Sequence, residues 1–288
     1  MKFNADSVFF QGYSHRICED YALTGVVQKG HAAGTPYVVL SDGCSSSPNT
    51  DVGARIMCYV ARKILNDLAG VENIGSLGWE PIGWRVATEA MNCATMMGAD
   101  TSCLDATLLM AFPFQKGICV IMYGDGCLYA RRKDSQRMEY MDISYANNCP
   151  FYPIYFLEQR RKQQHAKIVG ELGLTITGSF TPSMGREDGK GKVCPPHYPL
   201  IWHFDADAYD LVAISSDGMT SFLKMEDHAP LHHLQMGLDL LGFKGTNGDF
   251  LKRRLSKRLK QLKVECDHYD DLSMGAILIE ETTDGKDN

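Results

Sequence analysis

Acidic residues recur in this chain where apolar runs begin or stop. Glu19-Asp20 precedes "YALTGVV", Asp42-Gly43 closes "YVVLS" and Asp125 follows "GICVIMYG". Asp217-Gly218 closes "LVAISS", and Asp270-Asp271 stands directly before "LSMGAILIE". The apolar bodies read as strands lying side by side in a core, so their ends can converge on one cluster of carboxylates. Such a cluster is costly unless its charge is cancelled, because buried carboxylates raise one another's pKa and take up protons. Hard divalent cations are the usual remedy, and Mg2+ or Mn2+ accept oxygen ligands while keeping several waters. Two such ions about 3.5–4 Å apart make a hydroxide at neutral pH and stabilise an in-line displacement at phosphorus. Glycines behind Asp42 and Asp217 let the backbone turn sharply, and Gly43 can also lend a carbonyl to an ion.

Cys44 and three serines, residues 45–47, follow Asp42-Gly43 and offer rival nucleophiles. The nucleophile-elbow pattern GxSxG is absent, and no local His/Asp arrangement supports a serine. No CxxxxxR phosphate loop follows Cys44. Ser47-Pro48 instead fits a helix cap with proline in the first helical position. The pair Cys194 and His197 supplies only two metal ligands in a loop, too few for a zinc site.

The elements that must position the acids follow from periodicity. "SVFFQGY", "YALTGVV" and "PYVVLSD" read as strands, the last two joined by a hairpin at "HAAGT". Val52, Ile56, Val60, Ile64 and Leu68 recur every fourth residue, an apolar stripe on a helix that Gly70 would stop. A second helix is expected over residues 80–97. "ATLLMAFPF", "GICVIMYGDG", "CLYARR" and "RMEYMDI" read as a run of strands. Breaks at Pro113, Gly117, Gly124–126 and "KDSQ" predict antiparallel hairpins rather than βαβ units. The pattern loosens over 147–199, with a short helix at "LEQRRKQQH" and a solvated loop at "GREDGKGKVCPPHYP". A strand "YDLVAISSDG", a helix "PLHHLQMGLDLLG", a basic helix over 248–263 and the strand "LSMGAILIE" follow. Residues 281–288 read as a frayed tail.

The 288 residues suffice for a full core, and 44% hydrophobic with 22% charged residues marks an ordinary globular chain. A net charge of -6 argues against broad electrostatic binding of nucleic acid, so "KRRLSKRLKQLK" reads as a solvated helix face. None of the ten cysteines forms a CxxC pair, and several lie in apolar runs. They read as reduced core thiols, which suits the cytoplasm. The beginning "MKFNADSVFFQGYSHR" has no signal-peptide core, and no run reaches the ~18 apolar residues of a membrane span.

Taken in order, "CEDYA", "VVLSDGCSSS", "DATLLMA", "YGDGCLYAR", "AISSDGMTSF" and "YDDLSMGAIL" resemble the metal-dependent protein phosphatases of type 2C, most of all their bacterial branch. The resemblance runs over residues 9–280. It implies an α+β fold, a four-layer αββα sandwich of two antiparallel sheets flanked by helices, agreeing with the two-sheet reading. By the same resemblance Asp42 would bridge two Mn2+ or Mg2+ ions, with Asp217 and Asp270 on the first. The Gly43 carbonyl and, through water, Glu19 would serve the second, with Asp20 supporting and Asp125 matching an acid tied to a third, looser ion. The implied reaction is hydrolysis of phosphoserine and phosphothreonine by the metal-bridging water, without a phosphoenzyme. Phosphorylated proteins, the targets of a cognate kinase, would be the substrates of a single domain over 1–288, monomeric and binding neither nucleic acid nor membrane.

The chain departs from the family pattern at several points. Cys44-Ser45-Ser46 stands where the family has x-Gly-Gly, and Gly126-Cys127 where it has Ser-Arg. "SDGMTSF" lacks an acid that often follows SDG, and Asp271 replaces a common asparagine, a change expected to matter little. The family's phosphate-gripping arginine falls at His15, with Arg16 beside it; either could hold the phosphate, the histidine also serving as a general acid. Two rival readings follow. One is a weak or inactive binding protein on the same fold, and the other is a metal-dependent phosphatase of small molecules. Residues 147–199 coincide with the family's substrate-side flap.

Overall fold

The strand β3, Pro36–Ser41, is buried at every position, so both of its faces must be covered. In the computed structural model, which describes residues 1–30, 32–68, 80–170, 173–179 and 199–280, the cover comes from a second sheet on one side and helices on the other. The sheet containing β3 has the order β2-β3-β4-β5-β9, with β2 Tyr21–Val26, β4 Leu108–Phe114, β5 Gly117–Tyr123 and β9 Leu200–Asp205. The second has the order β1-β13-β10-β6-β7-β8, with β1 Lys2–Phe10, β13 Leu272–Glu280, β10 Tyr209–Ser215, β6 Gly126–Arg132, β7 Met138–Tyr145 and β8 Leu174–Gly178. All pairings in both sheets are antiparallel. A small ribbon joins β11 Phe222–Lys224 to β12 Cys266–His268.

Strand β13 shows how an unbroken apolar run serves two layers. Met274, Ala276 and Leu278 face one way, on to the helices α4 His233–Leu240 and α5 Phe250–Leu262. Ile277 and Ile279 face the other way, into the space between the sheets. The sheets approach closely at Gly275, where a Cβ would sit 1.9 Å from Cγ1 of Val38 in β3. Helices α1 Thr50–Leu68 and α2 Glu80–Met96 cover the five-stranded sheet through Met57, Ala61, Ile64, Val86 and Ala90. The order helix, sheet, sheet, helix is the expected four-layer αββα sandwich. Truncating one of its fully buried residues, such as Leu40 or Ile277, to alanine costs about 2–5 kcal/mol.

Three local expectations are corrected. Helix α1 starts at Thr50, not at Ser47-Pro48, because Asn49 has a positive φ of 58° and the Ser47 hydroxyl donates to Asp105 Oδ2 at 2.6 Å. Pro113 does not break a strand; it lies within β4 near the hairpin to β5, opposite Ile118. Residues 124–126 are not a hairpin, because β5 and β6 belong to different sheets and the chain crosses between layers there. The strands β8, β9, β11 and β12 were not expected. The Gly70 stop, the loop "GREDGKGKVCPPHYP", the Cys194 and His197 pair and the tail 281–288 fall largely or wholly outside the described residues, with only Pro199 of that loop within them. Every described cysteine is a free thiol, and no described helix is long and apolar enough to cross a membrane.

Candidate metal centre

Asp42 leaves the end of β3 with its backbone pinned on both sides. Its N–H donates to Thr107 Oγ1 at 3.0 Å, and the Thr107 N–H donates to its carbonyl at 2.8 Å. Ser41 Oγ donates to the Thr107 carbonyl at 2.6 Å, and the Cys44 N–H to the Asp105 carbonyl at 2.8 Å. Gly43 lies between two backbones: a Cβ there would meet Thr50 Cβ at 2.8 Å and the Glu19 carbonyl at 2.9 Å. The glycine is therefore required by close approach, and its N–H donates to the Glu19 carbonyl at 3.2 Å. The Glu19 carboxylate accepts from Thr50 Oγ1 at 2.9 Å, which ties it to the start of α1.

The other acids arrive on different strands. Asp20 leads into β2, Asp217 follows β10, Asp270 lies before β13, and Asp125 sits where the chain crosses from β5 to β6. Asp42, Asp125, Asp217 and Asp270 open on to one cleft of about 220 Å³. Its rim is made by His15, by residues 43–46 and by Asn148, Pro150 and Tyr152 from the 147–199 segment. Asp20 lies beneath it, 1% exposed. Its Oδ2 accepts from Ser216 Oγ at 2.7 Å, whereas its Oδ1 is buried with no hydrogen-bond partner among the described residues.

Among the described residues Asp20, Asp42, Asp125 and Asp217 have no ion-pair partner, and only Asp270 has one, His15. Burial, followed by the charge of Asp217, pushes Asp20 up to about 7 against the hydrogen bond from Ser216. Asp42 is raised well above the carboxylate range by burial and by Asp20, Asp217 and Asp125. Asp125 and Asp217 are raised by burial first and neighbouring acids second. Asp42 and Asp217 keep part of their surface on the cleft, but protein surrounds them on every other side. The Asp42 carboxyl is within hydrogen-bonding reach of both Asp20 and Asp217, so acceptors face acceptors unless a proton or a cation lies between. A hard divalent cation fits this all-oxygen donor set, and the partnerless Oδ1 of Asp20 is an available ligand.

Next to this cluster stands a carboxylate of opposite character. Asp271, 2% exposed, accepts the Gly12 N–H at 2.7 Å on Oδ1 and the Glu19 N–H at 2.6 Å on Oδ2. His15 Nδ1 lies 3.0 Å from the same Oδ2, and its Nε2 lies 3.2 Å from Asp270 Oδ1. Burial disfavours charge on His15, but Asp271, Asp270 and Glu19 outweigh it and raise its pKa above 6.5. His15, Glu19 and Asp271 bring ligand atoms within 4.8 Å of one another. Each oxygen of Asp271 already has an N–H donor, so this trio anchors a loop rather than offering a vacant ligand set.

His15, Asp42, Gly43, Asp125, Asp217 and Asp270 thus come together, with Asp20 and Glu19 directly behind them. Arg16 does not join them: it is exposed, lines no part of the cleft and makes no ion pair among the described residues. Sequence reasoning missed Thr107, Ser216 and the anchor role of Asp271. The motif "DATLLMA" contains Thr107, but only its pairing with Asp42 reveals what it does.

The family described as Protein phosphatase 2C matches residues 12–260. No curated protein matches the chain in sequence. Among solved structures, the serine/threonine phosphatase Stp1 from Staphylococcus aureus is 15% identical, with 98% of this chain and 96% of that chain covered at a TM-score of 0.57. A bacterial serine phosphatase is 16% identical over 98% and 100%, with a TM-score of 0.56. The catalytic domain of the serine threonine protein phosphatase PstP, in complex with two manganese ions, is 12% identical over 97% and 99%, with a TM-score of 0.50.

Proposed function

The chain belongs to the protein phosphatase 2C family, and on that premise we propose that it is a Mn2+- or Mg2+-dependent phosphatase of serine/threonine phosphoproteins. The observation that carries this reading is the uncompensated acid cluster with the partnerless Oδ1 of Asp20 at its base. Asp42, Asp217 and Asp270 would hold the ions from the cleft side, and the Gly43 carbonyl, Glu19, Asp20 and Asp125 would complete or support the set. When bound, the ions supply Lewis-acid stabilisation of the phosphoryl oxygens and a low-pKa water as nucleophile.

The chain's own residues bind, orient and move protons. Thr107 and the Gly43 backbone fix the Asp42 carboxylate by holding the main chain on either side of it. His15, aimed into the cleft and held by Asp271, supplies an N–H at Nε2 to a phosphate oxygen or to the departing alkoxide. This favours His15 over the outward-facing Arg16 for the family's phosphate-gripping place. Tyr152 and Pro150 narrow the mouth and limit water around a bound phosphoryl group. The serine-for-glycine departure beside Asp42 leaves Ser45 and Ser46 on the same mouth, where their hydroxyls can donate to phosphate.

The test is hydrolysis by the purified protein of p-nitrophenyl phosphate, a phosphothreonine peptide and a nucleotide monophosphate, with and without Mn2+. The proposal expects metal-dependent turnover, with the peptide preferred over the nucleotide. Preference for the nucleotide would support the small-molecule reading. Failure of Mn2+ to bind in a calorimetric titration would support the non-catalytic one.

A further inference from the structure

A second concavity, of about 1650 Å³, shares no lining residue with the metal cleft. Its wall is β2, which ends the five-stranded sheet. Val27 donates its N–H to the Thr35 carbonyl at 2.9 Å and accepts from Gly34 at 2.8 Å, so it faces β3. Antiparallel pairing alternates, so Gly25 and Leu23 also face β3, while Ala22, Thr24 and Val26 turn their N–H and C=O groups outward. The Gln28 N–H obeys the same alternation and reaches outward to Asn66 Oδ1 at 2.8 Å. The peptide groups of Ala22, Thr24 and Val26 have no partner among the described residues. Thr24 and Val26 are exposed while Ala22 is buried, so the open part of the edge is its C-terminal half, which no proline or bulge interrupts. Such an edge is a template for an incoming strand.

The facing wall is a stripe of α1. Arg55, Tyr59 and Arg62 recur at helical spacing on one exposed face. Arg55 lies over the Tyr21 ring at 4.8 Å, and Arg62 over the Tyr59 ring at 4.6 Å. The two tyrosine hydroxyls are 3.2 Å apart. Stacking holds both guanidinium groups, yet neither has a carboxylate partner among the described residues. The contrast is local: the neighbouring Lys63 and Arg85 are neutralised by Asp67 and Glu89. Lys29 and Lys252 add two more cations to the groove that have no ion-pair partner among the described residues. Of its acids, Asp6 is committed to the Leu251 and Lys252 N–H groups, and only Asp249 remains free among the described residues.

We propose that this groove docks an extended acidic segment of a partner protein, added as a strand along β2, with its carboxylates on Arg55 and Arg62. The two arginines are seven residues apart, about 10.5 Å along the helix axis. That is the reach of about three residues of extended chain, so acids spaced two to four apart meet both. Stacked Tyr and Arg side chains are the type that dominates binding energy at interfaces. A second copy of the chain fits poorly, since pairing β2 with β2 would set the same cations against each other.

The test is fluorescence-anisotropy titration of a labelled twelve-residue peptide alternating Glu with Val and Thr, set against its Gln and Lys analogues. The full chain is expected to bind the Glu peptide at least about tenfold more tightly than either analogue. The doubly substituted Arg55→Glu/Arg62→Glu protein should lose about tenfold or more, with p-nitrophenyl phosphate hydrolysis unchanged. Thr24→Pro, which removes an outward N–H that an edge strand can spare, should weaken binding independently. Amide exchange at Thr24 and Val26 should slow only when the peptide is present. Several results overturn the proposal: equal binding of the Gln analogue, undiminished binding by the double variant, or β2 exchange unaffected by peptide. Displacement by oligothymidine would make the ligand nucleic acid, and β2 protection rising with protein concentration alone would make it a second copy; either also overturns the proposal.

Discussion

Two carboxylates that each lie one residue from a strand end, Asp42 behind β3 and Asp271 before β13, lead opposite lives. Asp271 receives two backbone N–H groups and an imidazole, so each oxygen has a donor. Asp42 and the adjoining Asp20 face other acids, and one oxygen of Asp20 has no donor. Satisfied buried charge holds a loop in place; unsatisfied buried charge is tolerated only where something absent from the polypeptide completes it. The same residue type at similar strand ends therefore divides into scaffold and chemistry according to its donors.

Substitutions should separate the two roles. Asp42→Asn is expected to lower metal-dependent phosphatase activity by on the order of a thousandfold or more, since several kcal/mol of transition-state stabilisation depend on the ions. Circular dichroism should show an intact fold, and the metal-free variant should melt no lower than the parent, because the amide is neutral at every pH whereas the carboxyl must take up a proton to lie among its acidic neighbours. Asp271→Ala should instead destabilise the protein by about 3–5 kcal/mol, leaving the Gly12 and Glu19 N–H groups and His15 without their acceptor. A normal melting temperature for Asp271→Ala would remove the anchor role.

The pH dependence of the metal-free protein sharpens the contrast. Asp20 titrates near 3.9 when unfolded and is pushed up to about 7 when folded. A raised acid binds its proton more tightly in the folded state, so its stabilising effect is complete below about pH 4 and is lost as pH rises through about 7. Asp42, Asp125 and Asp217 shift in the same direction. Thermal melts without metal should therefore weaken from pH 5 to pH 8, and Mn2+ should restore more stability at the higher pH. A metal-free melting temperature that climbs over this range would contradict the protonated cluster. The smallest effect is expected at Thr107→Val, about 1 kcal/mol for the hydroxyl that positions Asp42, read in denaturant melts.

Much of this arrangement was legible in the sequence because the central strands are buried on both faces. "YVVLS" and "LSMGAILIE" announce themselves as strands by unbroken apolar character, and the acids at their ends stand out against it. The crossing at Asp125 was hidden, since Gly-Asp-Gly suits a hairpin turn as well as a passage between sheets. The role of Asp271 was hidden more deeply: its donors, Gly12 and Glu19, lie more than 250 residues away and are backbone groups that no side-chain pattern reports. Strands β11 and β12 have three residues each, too few for any period to show. The open edge of β2 appears only once its position in the sheet is fixed.

The most direct test of the division between the two acids is calorimetric titration of Mn2+ into the parent protein, Asp42→Asn and Asp271→Asn at one pH. The account predicts that Asp42→Asn loses Mn2+ binding while Asp271→Asn, still folded through its remaining acceptor oxygen, keeps it. Undiminished binding by Asp42→Asn, or loss confined to Asp271→Asn, would contradict it and move the metal site to the loop anchored by His15.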